Sequence, residues 1–441
     1  MPETAAGAGG KAAGTAPGAG TARTERDATR TGRTERTMEQ AVMAAVDLPP
    51  DTGAPVEALL PIYKRPAVEL VRGEGVELFD DAGRAYLDFV SGIAVNALGY
   101  GDAALADAMR AAMESGVLHT SNLYHTAPAR ELAEALVSRS FADRAFFCNS
   151  GAEANEAAFK FARRWAATAS GSRAKHEIIA LRGSFHGRLF ASLAATDRPA
   201  YRAPFRPLAG GVSIMERDLE ELRAALDPET VAAVIVEPVQ GEGGVRVLDE
   251  RFLRGLRALT RERRIALIFD EVQCGLGRTG WLFAHQRLGI EPDMMTLAKP
   301  LAGGLPMGAV LLSEEIAAAI KPGDHATTFG GGPFVASVAR HVVERLADAA
   351  LLERVRENGA WLGETLAALA ARQPKVRAVR GIGYIWGVDV AEPAAGVVAR
   401  ALELGLLVCT AGEYTLRLLP PLVATREDLA RGVALLEEAL S

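Results

Sequence analysis

The sequence predicts an α/β protein: a main, mostly parallel sheet flanked by helices, followed by a second, smaller α/β domain. Two observations carry this. From about residue 60, short apolar runs alternate with stretches whose apolar residues recur at helical spacing. Strand, helix, strand in repetition implies a parallel sheet covered on both faces. After about residue 333 the rhythm changes to one long helical stretch, a few short strands and a final helix.

The elements follow in order along the 441 residues. Residues 1–50 are built largely from Ala, Gly, Thr and Arg, with little to bury, so composition predicts disorder there. Glu25, Asp27 and Glu35 among the arginines speak against an organelle address. Met38 and Met43 are alternative starts. Residues 51–105 are expected to join the smaller domain. Over the large domain, 106–333, "AFFCNS" (145–150), "EIIAL" (177–181), "VAAVIVEPV" (231–239), "IALIFDEV" (265–272) and "AVLLS" (309–313) read as buried strands. Between them "ANEAAFKFARRWAATA" and "LDERFLRGLRALTRERR" read as helices. The smaller domain, 334–441, holds one long helical stretch over 335–373, strands within "VRAVRGIGYIWGVDVA" and the helix "REDLARGVALLEEAL".

Composition excludes several function classes. Hydrophobic residues make up 49% and charged ones 24%, with a net charge of −6, which argues against a nucleic-acid partner. Cys148, Cys274 and Cys409 form no CxxC pair, so a disulfide framework and a thiolate zinc site are not expected. No histidine spacing suggests a metal. No apolar run approaches ~18 residues, so no membrane span is expected and a reducing cytoplasm fits.

Three stretches carry chemistry. In "FFCNSGAEANEAAFKFAR" a strand turns sharply into a helix at Ser150, Gly151 and Ala152. Small residues let a ligand approach the backbone there, and the free N–H groups of a helix start suit a phosphate. "IALIFDEVQCGLGRTG" ends an apolar strand on Asp270. A carboxylate there needs a cation or several donors, and a protonated heterocyclic nitrogen is one such partner. Gln273 follows within reach of a ring substituent. "LAKPLAGGLP" sets Lys299 between an apolar strand and a glycine-rich loop, where a desolvated amine becomes a nucleophile. A phosphate cradle, a strand-end aspartate and a strand-end lysine together are the parts that pyridoxal 5'-phosphate needs.

With "SFHGRLFASLAAT", "VEPVQGEGGV", "TTFGGGP" and "LRLLPPLV" also present in order, residues 60–435 resemble the class III, fold-type I pyridoxal-phosphate aminotransferases. Among these the chain is most similar to the acetylornithine aminotransferases. The resemblance implies a fold-type I PLP-dependent transferase with Lys299 as the lysine of a covalent internal aldimine. It implies that Ser150, Gly151 and Ala152 bind the phosphate, that Phe185 and Val272 face the two sides of the ring, that Asp270 meets the ring nitrogen, and that Gln273 meets the phenolic oxygen. Thr328 would reach the cofactor phosphate of a neighbouring subunit and Thr327 the substrate, making the enzyme a homodimer with shared sites. Arg188, Glu242 and Arg417 match a substrate-carboxylate arginine, a gate glutamate and a second arginine.

The implied reaction moves the distal amine of N2-acetyl-L-ornithine to 2-oxoglutarate, a step of arginine biosynthesis. Donors carrying a succinyl group, ornithine, 4-aminobutyrate, an acyl-lysine, and a PLP-dependent aminomutase are the alternatives. Two positions depart from the family: Gly332 and Cys409 stand where Asn is usual. Gly92, before "AVN", stands where ornithine aminotransferases carry an aromatic residue, which would leave room for an acyl group.

Overall fold

The computed structural model describes residues 58–441. The expected disorder of residues 1–50 therefore lies outside the described residues.

A seven-stranded sheet forms the centre. Its spatial order is Arg144–Cys148, Gly308–Leu312, Met294–Leu297, Ala266–Asp270, Val231–Val236, Glu177–Leu181, Val212–Met215. Every neighbouring pair is parallel except the two made by Gly308–Leu312. The strands Val231–Val236 and Ala266–Asp270 are buried at every position, which is why they read as continuous apolar runs rather than alternations. The reversal at Gly308–Leu312 has a local cause. The chain leaves Met294–Leu297 through a short turn of 3₁₀ helix, Lys299–Ala302, too short to supply the crossover that a parallel return needs. Lys299 thus sits at the reversal, beside the carboxyl ends of the parallel strands. The strand Val212–Met215 is not evident in sequence; it is four residues long and only partly buried.

Among the described residues there are also two four-stranded sheets and a two-stranded pairing of Val239–Gln240 with Arg246–Val247. Val376–Ile382, Ile385–Val390, Thr415–Leu418 and Cys409–Thr410 form an antiparallel sheet. Leu70–Glu74, Glu77–Asp80 and Ala85–Asp88 form a meander, and Leu406–Leu407 joins its last strand in parallel, so chain segments far apart in sequence share one sheet. The long helical stretch expected over 335–373 is two helices, Pro333–Leu346 and Ala349–Arg372. The break has an identifiable cause: Asp348 takes an extended conformation and its side chain caps the second helix by accepting from Ala350 N. Among the described residues no helix is long and apolar enough to cross a membrane.

Candidate active site

Asp270 is the last residue of its strand and is almost wholly buried. Its Oδ2 accepts from Asn155 Nδ2 at 2.8 Å and from His186 Nδ1 at 2.8 Å, and its Oδ1 accepts from Val272 N at 3.0 Å. Burial by itself would raise the pKa of this carboxyl, but the donors, His186 foremost, outweigh it and hold the group below its ordinary value. Asn155, on the helix Gly151–Ser170, ties the network together. Its Nδ2 also donates to the His186 carbonyl at 2.8 Å, and its Oδ1 accepts from Thr296 Oγ1 at 2.8 Å on the adjacent strand. A carboxylate is acceptor-only, so His186 carries its proton on Nδ1; its Nε2 is buried with no partner among the described residues.

The helix Gly151–Ser170 starts at the carboxyl end of Arg144–Cys148. Ser150 Oγ caps it by accepting from Glu153 N at 3.2 Å, which leaves the N–H groups of Gly151 and Ala152 without acceptors among the described residues. Glycine is required at 151 by packing. A Cβ there would stand 2.7 Å from Val272 Cγ1, displacing the residue expected to face the ring.

Lys299 has φ +41°, in the left-handed region that L-residues seldom adopt, so the surrounding turn enforces its orientation. Its Nζ makes no hydrogen bond or ion pair among the described residues. Burial lowers its pKa, and Arg417 adds to the effect against opposition from Asp270, Glu242 and Glu237. Glu237 is a further buried acid. It accepts from Phe185 N at 2.9 Å and from Gly241 N at 3.3 Å, and burial pushes its pKa up to about 7.

On the facing wall, Arg417 rises from the strand Thr415–Leu418 and is almost wholly buried. Its NH1 pairs with Glu242 Oε1 at 2.7 Å and donates to Gln273 Oε1 at 3.2 Å; its Nε meets Cys409 Sγ at 3.5 Å. Burial would lower the guanidinium pKa, but Cys409 and Glu242 more than offset this. Glu242 in turn is held below its ordinary value by Arg417, against burial. Arg188 is exposed and lies over the Tyr201 ring at 3.5 Å from its centroid.

Ten of the residues singled out in sequence line one cavity of about 400 Å³: Ser150, Gly151, Ala152, Phe185, Arg188, Glu242, Asp270, Val272, Gln273 and Lys299. Arg417 reaches it through its contacts with Glu242 and Gln273. Thr327 and Thr328 do not line it. Thr327 is held by Asn122 and Asn149, and Thr328 is exposed. Gly92 is exposed at φ +60° and does not line the cavity, whereas Val95 does. Asn155, His186 and Glu237 were not singled out in sequence. The signal for each was weak: a polar residue within an apolar helix, within "SFHG", and at the end of "VAAVIV".

The residues present fit pyridoxal phosphate: helix-start N–H groups and an amine without partners among the described residues, and a strand-end carboxylate held below its ordinary pKa, all belong to this cavity. The comparisons agree. The family described as Aminotransferase class-III matches residues 62–440. The acetylornithine aminotransferase of Methanocaldococcus jannaschii is 44% identical over 87% of this chain and 96% of its own length. That of Gloeobacter violaceus is 47% identical over 85% of this chain and 94% of its own. The solved N-acetylornithine aminotransferase of Stenotrophomonas maltophilia, 37% identical, covers 84% of this chain and 95% of its own with a TM-score of 0.73. With the family's pattern running through nearly all of the described residues and these relatives matching almost end to end, the chain belongs to the class III aminotransferases, a family that works with pyridoxal phosphate.

Proposed function

We propose that the enzyme transfers the distal amino group of N2-acetyl-L-ornithine to 2-oxoglutarate, yielding N-acetyl-L-glutamate 5-semialdehyde and L-glutamate, with Lys299 holding the cofactor covalently. When bound, pyridoxal phosphate supplies an electron sink for the charge left on a substrate carbon that loses a proton. The N–H groups of Gly151 and Ala152 would hold its phosphate, Phe185 and Val272 would pack against its ring, and Asp270 would keep the ring nitrogen charged. Lys299 Nζ, with its lowered pKa, would be the group that carries the proton at the substrate carbon once the incoming amine has displaced it from the cofactor.

The single observation that carries the reading is the partnerless Lys299 Nζ in a cavity with one arginine open and another covered. Acetylornithine presents its distal amine, so its carboxylate lies several bonds away, where exposed Arg188 receives it. Glutamate presents its α-amine and brings a carboxylate close to the reacting carbon. Arg417 suits that carboxylate, and Glu242 covers it until the ligand competes. Rapid-mixing measurement of the two half-reactions tests this. In Arg417→Ala the glutamate half-reaction should fall by roughly 2–5 kcal/mol equivalent, while the acetylornithine half-reaction is largely spared. Equal losses for both would refute the gate. A faster half-reaction with a succinylated donor, ornithine, 4-aminobutyrate or an acyl-lysine would reassign the substrate.

The reading includes a homodimer with shared sites, the cytoplasm as its compartment, and a cofactor-binding domain over 106–333 beside a smaller one from 51–105 and 334–441. Met113, Leu118, Leu123, Tyr124 and Phe329 are exposed large apolar side chains, and they support a partner surface next to Thr328. Three free thiols suit a reducing compartment.

A further inference from the structure

Gln273 stands between the gate and the site that the proposed function assigns to the cofactor ring. It is buried, lines the cavity, and its Oε1 accepts from Arg417 NH1 at 3.2 Å. A guanidinium has only donors, so the amide can face it only with its oxygen. That settles which end of the side chain is left for the cavity: Nε2, which makes no hydrogen bond among the described residues. The NH1 that holds the amide oxygen is the same nitrogen that pairs with Glu242 Oε1 at 2.7 Å. The gate loop also presses on the amide directly. A Cβ at Gly241, the residue before Glu242, would stand 1.7 Å from Gln273 Oε1, so a side chain there would push the amide out of this position.

We propose that Gln273 couples the gate to the cofactor: occupancy of Arg417 by a substrate carboxylate changes the hydrogen bond that Gln273 Nε2 gives to the ring's phenolic oxygen. This inference rests on the proposed function for the placement of the ring. Hydrogen bonds in series polarise one another, so an amide whose oxygen is bonded to a guanidinium is a stronger donor at its nitrogen. A carboxylate that draws Arg417 toward the cavity lengthens the NH1–Oε1 bond and weakens that donor. The phenolic oxygen then holds a proton more readily. The two substrates therefore meet differently tuned cofactors, because acetylornithine leaves the Arg417–Glu242 pair closed and glutamate opens it.

The test uses the dimeric holoenzyme and glutarate, a dicarboxylate without an amine that cannot react. The ratio of the bound cofactor's visible absorption bands is followed across pH with and without saturating glutarate. Glutarate should displace the wild-type band ratio toward the protonated form by about three- to tenfold at fixed pH, equivalent to roughly half to one pH unit. In Gln273→Met, which keeps the bulk and loses the amide, the displacement should shrink to the part that added negative charge alone produces. An unchanged band ratio in the wild type, or the same displacement in both proteins, overturns the coupling. Should glutarate fail to saturate the methionine variant, the cycle of Glu242→Gln, Gln273→Met and the double variant decides without ligand. Non-additive band ratios support the coupling and additive ones overturn it. Absence of any cofactor band removable by borohydride trapping would instead overturn the placement of the cofactor on Lys299.

Discussion

Asp270 and Glu237 belong to one buried cluster yet ionise in opposite senses, and the donors around each explain it. Asp270 receives three hydrogen bonds, one from the His186 ring, while Glu237 receives two from backbone N–H groups, the second long at 3.3 Å. The Glu237 carboxyl titrates near 7 in the fold against an ordinary 4.5. A pKa raised on folding means that the native state binds the extra proton, so the contribution of Glu237 to stability is full below about pH 4.5 and is lost as pH rises toward 7. In Glu237→Gln, the fall in unfolding free energy between about pH 5 and pH 8 should therefore shrink by about 1–3 kcal/mol. Denaturant titration at both pH values measures it, and an unchanged fall would mean that Glu237 ionises normally. Arg188 provides a second case. Its guanidinium lies on the Tyr201 ring, so Tyr201→Leu should raise the KM for acetylornithine about two- to fivefold with kcat nearly constant. An unchanged KM in steady-state assays would show that the stack does not place Arg188.

At the level of elements, the helix Pro333–Leu346 begins at Gly332 without any side-chain cap. An asparagine at this position would supply an acceptor for the first free N–H groups. Gly332 has φ −52° and ψ +140°, which asparagine adopts readily, and a Cβ there would meet Phe329 O at 3.2 Å. The close approach limits the gain. Gly332→Asn is expected to stabilise the protein by a few tenths of a kcal/mol, about what distinguishes asparagine from glycine at a helix start. Urea unfolding decides the sign; a loss above about 1 kcal/mol would mean that the Phe329 carbonyl cannot yield. The same logic explains the break at Asp348, where a capping side chain ends one helix and starts the next inside a stretch of unbroken apolar periodicity.

At the scale of the molecule, Met113, Val117, Leu118, Leu123, Tyr124 and Phe329 are exposed apolar side chains. Burial against a second copy would remove them from water and bring Thr328 to a neighbouring cavity. Leu123→Glu would place a charge in that contact, which is costly to bury without a partner. If the proposed dimer forms there, sedimentation should show its association weakened by roughly a hundredfold or more, with cofactor lost from the resulting monomers. A monomeric variant that retains cofactor and activity would show that each site is complete within one chain.

The sequence by itself determined the class of fold and most of the site's chemistry. Fully buried strands such as Val231–Val236 are legible because burial on both faces demands an unbroken apolar run. Asp270 and Lys299 are legible because a charge at the end of such a run has to be accounted for. Tertiary structure alone decided the partners. Asn155 bridges Asp270, His186 and Thr296, three positions on separate elements, and no local pattern distinguishes it from any other polar residue in a helix. The sharing of one sheet by Ala85–Asp88 and Leu406–Leu407 is equally non-local. So is the orientation of the Gln273 amide, which is set by an arginine 144 positions away in the chain. Periodicity reports whether a residue is buried; only the packed structure reports against what, because hydrogen-bond partners are chosen by proximity in space.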